Sequence, residues 1–263
     1  MRWNPERYQK TGQHRVNLFN DLLRWANIDH LENQCILDVG CGNGTIDFYM
    51  AEHFNGCNIV AIDSDEHMIQ YANQHNQHPS IQYKKMNAAA MTLTGQFDIV
   101  LSLACLHWIK DQQVVLTYLH SLIKPGGLAL LLICPKPTLL WQTLDEVVSR
   151  PYWQPYFNSF DPGYYFYNEK NYPPLAEVAG FKIKKIECVF EKLKDIDSQA
   201  AFESLISGWL PHLKQLPNVL HPKFLREISE CFIKLMQQQG INNFADHERS
   251  LLKVYLQKPH SNI

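Results

Sequence analysis

A chain of 263 residues, 46% hydrophobic and 19% charged, has the size and composition of one large globular α/β unit. A formal net charge of −2 gives no general attraction to nucleic acid or anionic membrane, and apolar runs such as LALLLIC (128–134) are strand-sized, far short of a membrane span. Seven scattered cysteines with no CxxC pair, and twelve histidines with no HxxxH or HExxH pattern, point to a reduced, cytoplasmic protein without metal.

The polar opening, MRWNPERYQKTGQHR, has no secretory pattern. CILDV (35–39) then reads as a strand, followed by a glycine loop and a helical stretch around IDFYMAEHF. NIVAID (58–63) precedes a helix around DEHMIQYANQH, and IQYKK (81–85) and FDIVLSL (97–103) are the next strands. A helix from about Gln112 to Ile123 ends at KPGG, and GLALLLIC (127–134) is apolar throughout, as expected of a strand buried on both faces. The alternation predicts a mostly parallel, doubly wound sheet with its ligand at the carboxyl ends of the strands.

Beyond Cys134 the rhythm changes. Residues 135–170 are rich in proline and aromatics, 171–180 suggest a short helix, and FKIKKIECVF (181–190) alternates like a strand. A helical segment over 197–240 is interrupted at GWLPHLKQLPNVLHP, and LLKVYLQKP (251–259) reads as a last strand. The organisation expected is a single domain over 1–263. Its core comprises 30–134, 171–190 and 250–259, and its largely helical cap comes from 1–20, 135–170 and 195–245.

The loop LDVGCGNGT carries Gly40, Gly42 and Gly44 in GxGxG spacing, not the GxGxxG of a dinucleotide pyrophosphate loop. Asp38, two residues before the first glycine, would oppose a pyrophosphate and favour a ligand bearing an ammonium and a sulfonium, as S-adenosylmethionine (SAM) does. Asp63, closing the next strand, can accept from ribose hydroxyls.

These motifs resemble those of class I SAM-dependent methyltransferases: LDVGCGNG the first motif, VAIDSDEHM the second, FDIVLSLACLHWI the fourth strand and LIKPGGLALLLI the approach to the fifth. The resemblance implies a Rossmann-like seven-stranded sheet with its last strand antiparallel. It also implies a cofactor site of Asp38, Gly40, Gly42, Gly44, Asp63, Ser64, Met68, Asn87, Ala88 and Leu103. Met68 would pack on adenine, and Asn87 stands where an acidic residue often meets the adenine amine. YQKTGQHR, CLHWI, WQTLDEVVSRPYWQPY and GWLPHLKQLP further resemble small-molecule carboxyl methyltransferases of the juvenile hormone acid and trans-aconitate groups. That likeness implies that Gln13 and Trp108 help to hold a substrate carboxylate.

A carboxylate is ionised at neutral pH and needs no general base, only donors that position it. Gln13, Trp108 and His107 are the candidates; His107 would serve as a base only for a hydroxyl or amine. Trp108 and the aromatic cluster at 152–167 also fit core packing, and Arg15 fits either a carboxylate partner or a solvated helix residue. The expected partner is therefore a small-molecule carboxylate, with no nucleic acid and no membrane.

Three other readings stay open. A carrier-bound, malonyl-type acid would need a basic docking patch, for which Lys182, Lys184, Lys185, Lys192 and Lys194 are available. A non-catalytic SAM-binding protein would share the cofactor loop. An NAD-dependent oxidoreductase would share the fold. A base-flipping nucleic-acid methylase is disfavoured by SLAC at the end of the fourth strand, where a stacking motif would stand.

Overall fold

The computed structural model describes residues 3–135, 139–192 and 197–260. Strands β1 (Cys35–Val39), β2 (Asn58–Asp63), β3 (Ile81–Lys85) and β4 (Phe97–Leu103) form at the apolar runs read from the sequence. β5 (Ile123–Ile133), β6 (Lys182–Lys192) and β7 (Glu248–Gln257) complete a seven-stranded sheet in the order β3-β2-β1-β4-β5-β7-β6. β1 to β5 are parallel, and β7 runs antiparallel to both β5 and β6. β5 starts at Ile123 and not at Gly127, because Ile123 already pairs with Phe97. The Pro125–Gly127 stretch forms a bulge before pairing resumes at Ile99 and Leu128.

The helices are α1 (Pro5–Gln9), α2 (Gly12–Ala26), α3 (Thr45–His53), α4 (Glu66–His75), α5 (Gln112–Leu122), α6 (Leu139–Val148), α7 (Gln154–Phe157), α8 (Pro173–Val178), α9 (Gln199–Ser207) and α10 (His221–Gln238). α2 buries Phe19, Leu22, Leu23 and Ala26 at helical spacing and stops at Asn27, whose φ of 56° is left-handed. Asp65 and Asp111 start α4 and α5 by accepting the backbone N–H of His67 and Val114.

Alternate residues of the central strands feed two cores, as parallel strands covered on both faces require. Leu37, Val39, Leu131 and Ile133 pack with α5 and α8; Ile36, Ile59, Leu130 and Leu132 pack with α2, α3 and α4. A third cluster joins residues 139–166 to 201–244. The 1–20 segment divides: α2 belongs to the sheet's own packing, and the residues before it roof the carboxyl ends of the strands. Lys194 lies outside the described residues.

Candidate active site

β1 and β4 are neighbours, while the chain leaves β1 toward β2 on one side and reaches β4 on the other. Such a switch in strand order opens a crevice at the carboxyl ends. There a cavity of about 350 Å³ is lined by Gly40, Gly42, Asp63, Met68, Asn87 and Trp108 among others. A wider, shallower hollow of about 550 Å³ lies at the opposite strand ends, around His30, Gly126 and the Asp98–Lys124 ion pair, and shares none of these residues.

The loop's geometry requires glycine. Gly40 adopts φ +84°, and a β-carbon there would collide with the side chain of Cys105. Gly42 (φ +58°) would press a β-carbon to 3.0 Å from the Tyr8 ring. Backbone is thereby left bare against the cavity. The Asp63 carboxylate is fixed on both oxygens: Gly42 N–H donates to Oδ2 at 2.9 Å and Asp65 N–H to Oδ1 at 2.8 Å. Burial raises its pKa, while these two backbone donors pull it down.

A roof closes the crevice from the amino terminus. Trp3 and Tyr8 line the cavity, and the Trp3 ring meets Trp108 edge-on at 5.8 Å. The Arg15 guanidinium lies 3.7 Å from the Tyr8 ring centre and donates to Tyr8 O at 2.6 Å, Thr11 Oγ1 at 2.8 Å and Asn43 Oδ1 at 3.4 Å. Asn43 in turn donates to Gln9 Oε1 at 2.6 Å, so α1 is bolted to the glycine loop. Arg15 is thus a clamp within the fold.

A family described as "Methyltransferase domain" matches residues 36–127, the stretch holding the loop, Asp63 and Trp108. Juvenile hormone acid O-methyltransferase of Drosophila melanogaster is 26% identical over 227 residues, covering 79% of this chain and 74% of that protein. The chain is a SAM-dependent methyltransferase.

Trans-aconitate 2-methyltransferase of Deinococcus radiodurans is 29% identical to this methyltransferase over 127 residues, about half of each chain (48% and 47%). Mycolic acid cyclopropane synthase, solved with S-adenosylhomocysteine, shares its fold with a TM-score of 0.61 at 13% identity, over 95% of this chain and 85% of that one. Haemonchus contortus phosphoethanolamine N-methyltransferase 2 does so with a TM-score of 0.57 at 21% identity, over 92% of this chain and 53% of that one.

The methyltransferase's residues fit SAM. The bare loop at Gly40 and Gly42 and the oriented Asp63 would hold the nucleoside and amino-acid portions, and Asp38 Oδ1 is sealed from solvent. Asp63, Ser64, Met68, Asn87, Ala88 and Leu103 line one cavity with Gly40 and Gly42. Asp38 is buried beneath the loop, and Gly44 caps α3 with its missing β-carbon facing Tyr83, so neither lines the cavity itself. Asn87 differs from an acidic residue in a specific way. Its Oδ1 accepts the Ala89 N–H at 2.9 Å and starts a 3₁₀ turn, leaving one lone pair on that oxygen.

The structure does not bring Gln13 and His107 to the acceptor side. Gln13 is exposed on α2, and its amide donates to Asn17 at 3.2 Å, because the buried face of α2 is set by its apolar stripe. His107 is buried behind Trp108: its Nδ1 accepts the Cys134 N–H at 3.3 Å and its carbonyl accepts the Tyr165 N–H at 2.7 Å. Burial pushes its pKa down to about 3, so it is neutral and joins the ends of β4 and β5 to the cap. Trp108 lines the cavity and stands among Tyr164 (4.7 Å), Trp209 (5.9 Å) and Trp3 (5.8 Å), all edge-on. Trp3, Tyr8 and Cys105 are lining residues that the sequence reading missed. The clustering of Trp3 and Tyr8 ahead of an amphipathic helix was the one available signal.

Proposed function

We propose that this methyltransferase transfers the SAM methyl group to the carboxylate oxygen of a small organic acid. The observation that carries this reading is the ring cluster at Trp108, with Trp3, Tyr8 and Trp108 on the cavity wall beside Lys110, Tyr164 and Trp209 packed against Trp108, and His107 neutral and withdrawn from the cavity. Burial also raises the Cys105 thiol and the Tyr8 phenol well clear of the range where either would take a proton at neutral pH. A hydroxyl or amine acceptor needs a group to receive its proton, whereas a carboxylate arrives ionised.

When bound, SAM supplies an electrophilic methyl on a sulfonium, displaced in line. The chain's part is to align and to exclude water. Among the described residues none takes a hydrogen bond from the Trp108 indole N–H, which is therefore available to an acceptor oxygen. Trp3, Tyr164 and Trp209 enclose it in an apolar shell. The names of the juvenile hormone acid and trans-aconitate relatives support the same acceptor class. The carrier-bound alternative draws less support, because Lys185 is already paired with Glu187 (3.9 Å) and the Trp25 ring, and Lys192 with Asp246 (3.3 Å).

The test is incubation with methyl-deuterated SAM and a panel of aliphatic, terpenoid, aromatic and tricarboxylic acids, beside matched alcohols and amines. Labelled products that mild alkali hydrolyses are esters and support the reading. Label found only in alkali-stable ethers or amines would overturn it.

A further inference from the structure

Beneath the glycine loop two carboxyls are buried together. Asp38, at the end of β1, is 2% exposed, and Asp47, in the first turn of α3, is completely enclosed. Apart from each other, Asp38 Oδ1 and both Asp47 oxygens have no side-chain hydrogen-bond partner among the described residues, and they have no contact with solvent. Unsatisfied carboxylate oxygens in the interior are costly, and a native fold keeps them only where something offsets the cost.

Among the described residues, no cation faces the pair to balance its charge. Facing it are Cys41 from the loop, Asp63 from β2, Tyr83 from β3, Tyr8 from α1 and Cys105 from the segment after β4, all neutral or acidic. Arg15, the cation of the roof, is engaged by Tyr8, Thr11 and Asn43. Two adjacent carboxyls in such a place cannot both ionise. Burial raises both, Asp38 to about 7 and Asp47 well above the carboxylate range, and Asp47 is the neutral partner that donates toward Asp38.

Asp38 precedes the cavity-lining Gly40 by two residues, so its charge acts on the cavity through the loop's backbone and not through water. We propose that Asp38 and Asp47 form a proton-holding pair discharged by the cofactor's α-ammonium. As SAM binds, Asp38 gives up one proton to solvent, and Asp47 keeps its own and donates it to the new Asp38 carboxylate. Asp47 is then a positioning residue that acts through Asp38. One cation enters the site and one proton leaves, so the buried charge stays balanced.

Calorimetry of SAM binding at pH 6.5, in buffers of differing ionisation enthalpy, reads the proton directly. At that pH the ammonium, with an ordinary pKa of about 7.7–8.0, enters already protonated. Unmodified protein should release between about one-half and one proton per SAM. With 5′-methylthioadenosine, which lacks the amino-acid end, it should release almost none. No release with SAM, or equal release with both ligands, would overturn the proposal without any variant. Asp38→Asn should abolish release. Asp47→Asn, whose amide still donates, should preserve release and affinity, and Asp47→Val should weaken SAM roughly tenfold. Equal behaviour of the Asn and Val variants would refute the donor role of Asp47.

Discussion

The backbone N–H of Trp3 donates to Asp65 Oδ2 at 2.7 Å, tying residues 62 positions apart across the mouth of the cofactor cavity. The other oxygen of Asp65 accepts the His67 N–H at 2.9 Å and starts α4. One side chain therefore both begins a helix and latches the roof. Asp65→Ala is expected to lose about 1 kcal/mol of stability through the cap and to speed SAM dissociation. Asp65→Asn, which keeps one accepting oxygen, should separate the two effects. Stopped-flow tryptophan fluorescence measures the off-rate; if neither variant changes it, the roof does not hold the cofactor in place.

Asp63 is held by two backbone donors before any ligand arrives. Asp63→Ala is expected to weaken SAM by roughly 10- to 100-fold, since each lost hydrogen bond to a charged group is worth about 1.5–3 kcal/mol. Titration calorimetry with a circular-dichroism check of folding decides it. Affinity within twofold of the unmodified protein would remove Asp63 from the ribose site.

Trp108→Phe keeps an aromatic ring among Trp3, Tyr164 and Trp209 but deletes the indole N–H. Turnover on a confirmed acid should fall roughly tenfold, the value of about one hydrogen bond, with SAM affinity little changed. Normal turnover would make Trp108 a packing residue only.

Three histidines sit buried and neutral: His107, His212 and His247. Burial lowers all three, His107 to about 3 and His212 to about 4. A histidine whose folded pKa lies below its unfolded value of about 6.5 adds stability above that pH and loses it as pH falls toward the folded value. His107 and His212 should each cost about 2 kcal/mol between about pH 6.5 and 5. The buried Asp38, Asp47 and Asp63 carboxyls, raised above their usual range, act in the opposite sense. His212 is ringed by Phe160 (5.1 Å), Phe157 (5.5 Å), Trp141 (6.2 Å) and Phe224 (6.4 Å), so His212→Phe should flatten the acid limb of stability. Urea midpoints at two pH values test this; an unaltered slope would show that His212 ionises freely.

The sheet and cofactor loop were legible because their signals are local: apolar runs of strand length, glycines against the end of β1, and Asp63 at the end of β2. The start of β5 was not, since Pro-Gly-Gly reads as a turn and only its pairing with β4 makes it a bulge. The roof was hidden by its polarity. Tyr8 and Arg15 bury each other through a stacking contact that hydrophobic periodicity does not register. Asp47 looked like an ordinary acidic residue in a helix's first turn, and its meeting with Asp38 depends on how α3 settles on the sheet. The direction in which Gln13 and His107 point is likewise set by packing, which a motif does not encode.

The buried members of the third core all lie between Leu139 and Phe244, and from the chain before them only Trp108 and Cys134 join it among the described residues. Such a seam lets the two halves change at different tempos. Trp141, Tyr164 and Trp209 belong to this third core and lie outside the residues lining the cavity of Gly40, Asp63 and Trp108. For engineering, the cap is the unit to graft or randomise, with Trp108 and Cys134 kept as the joint.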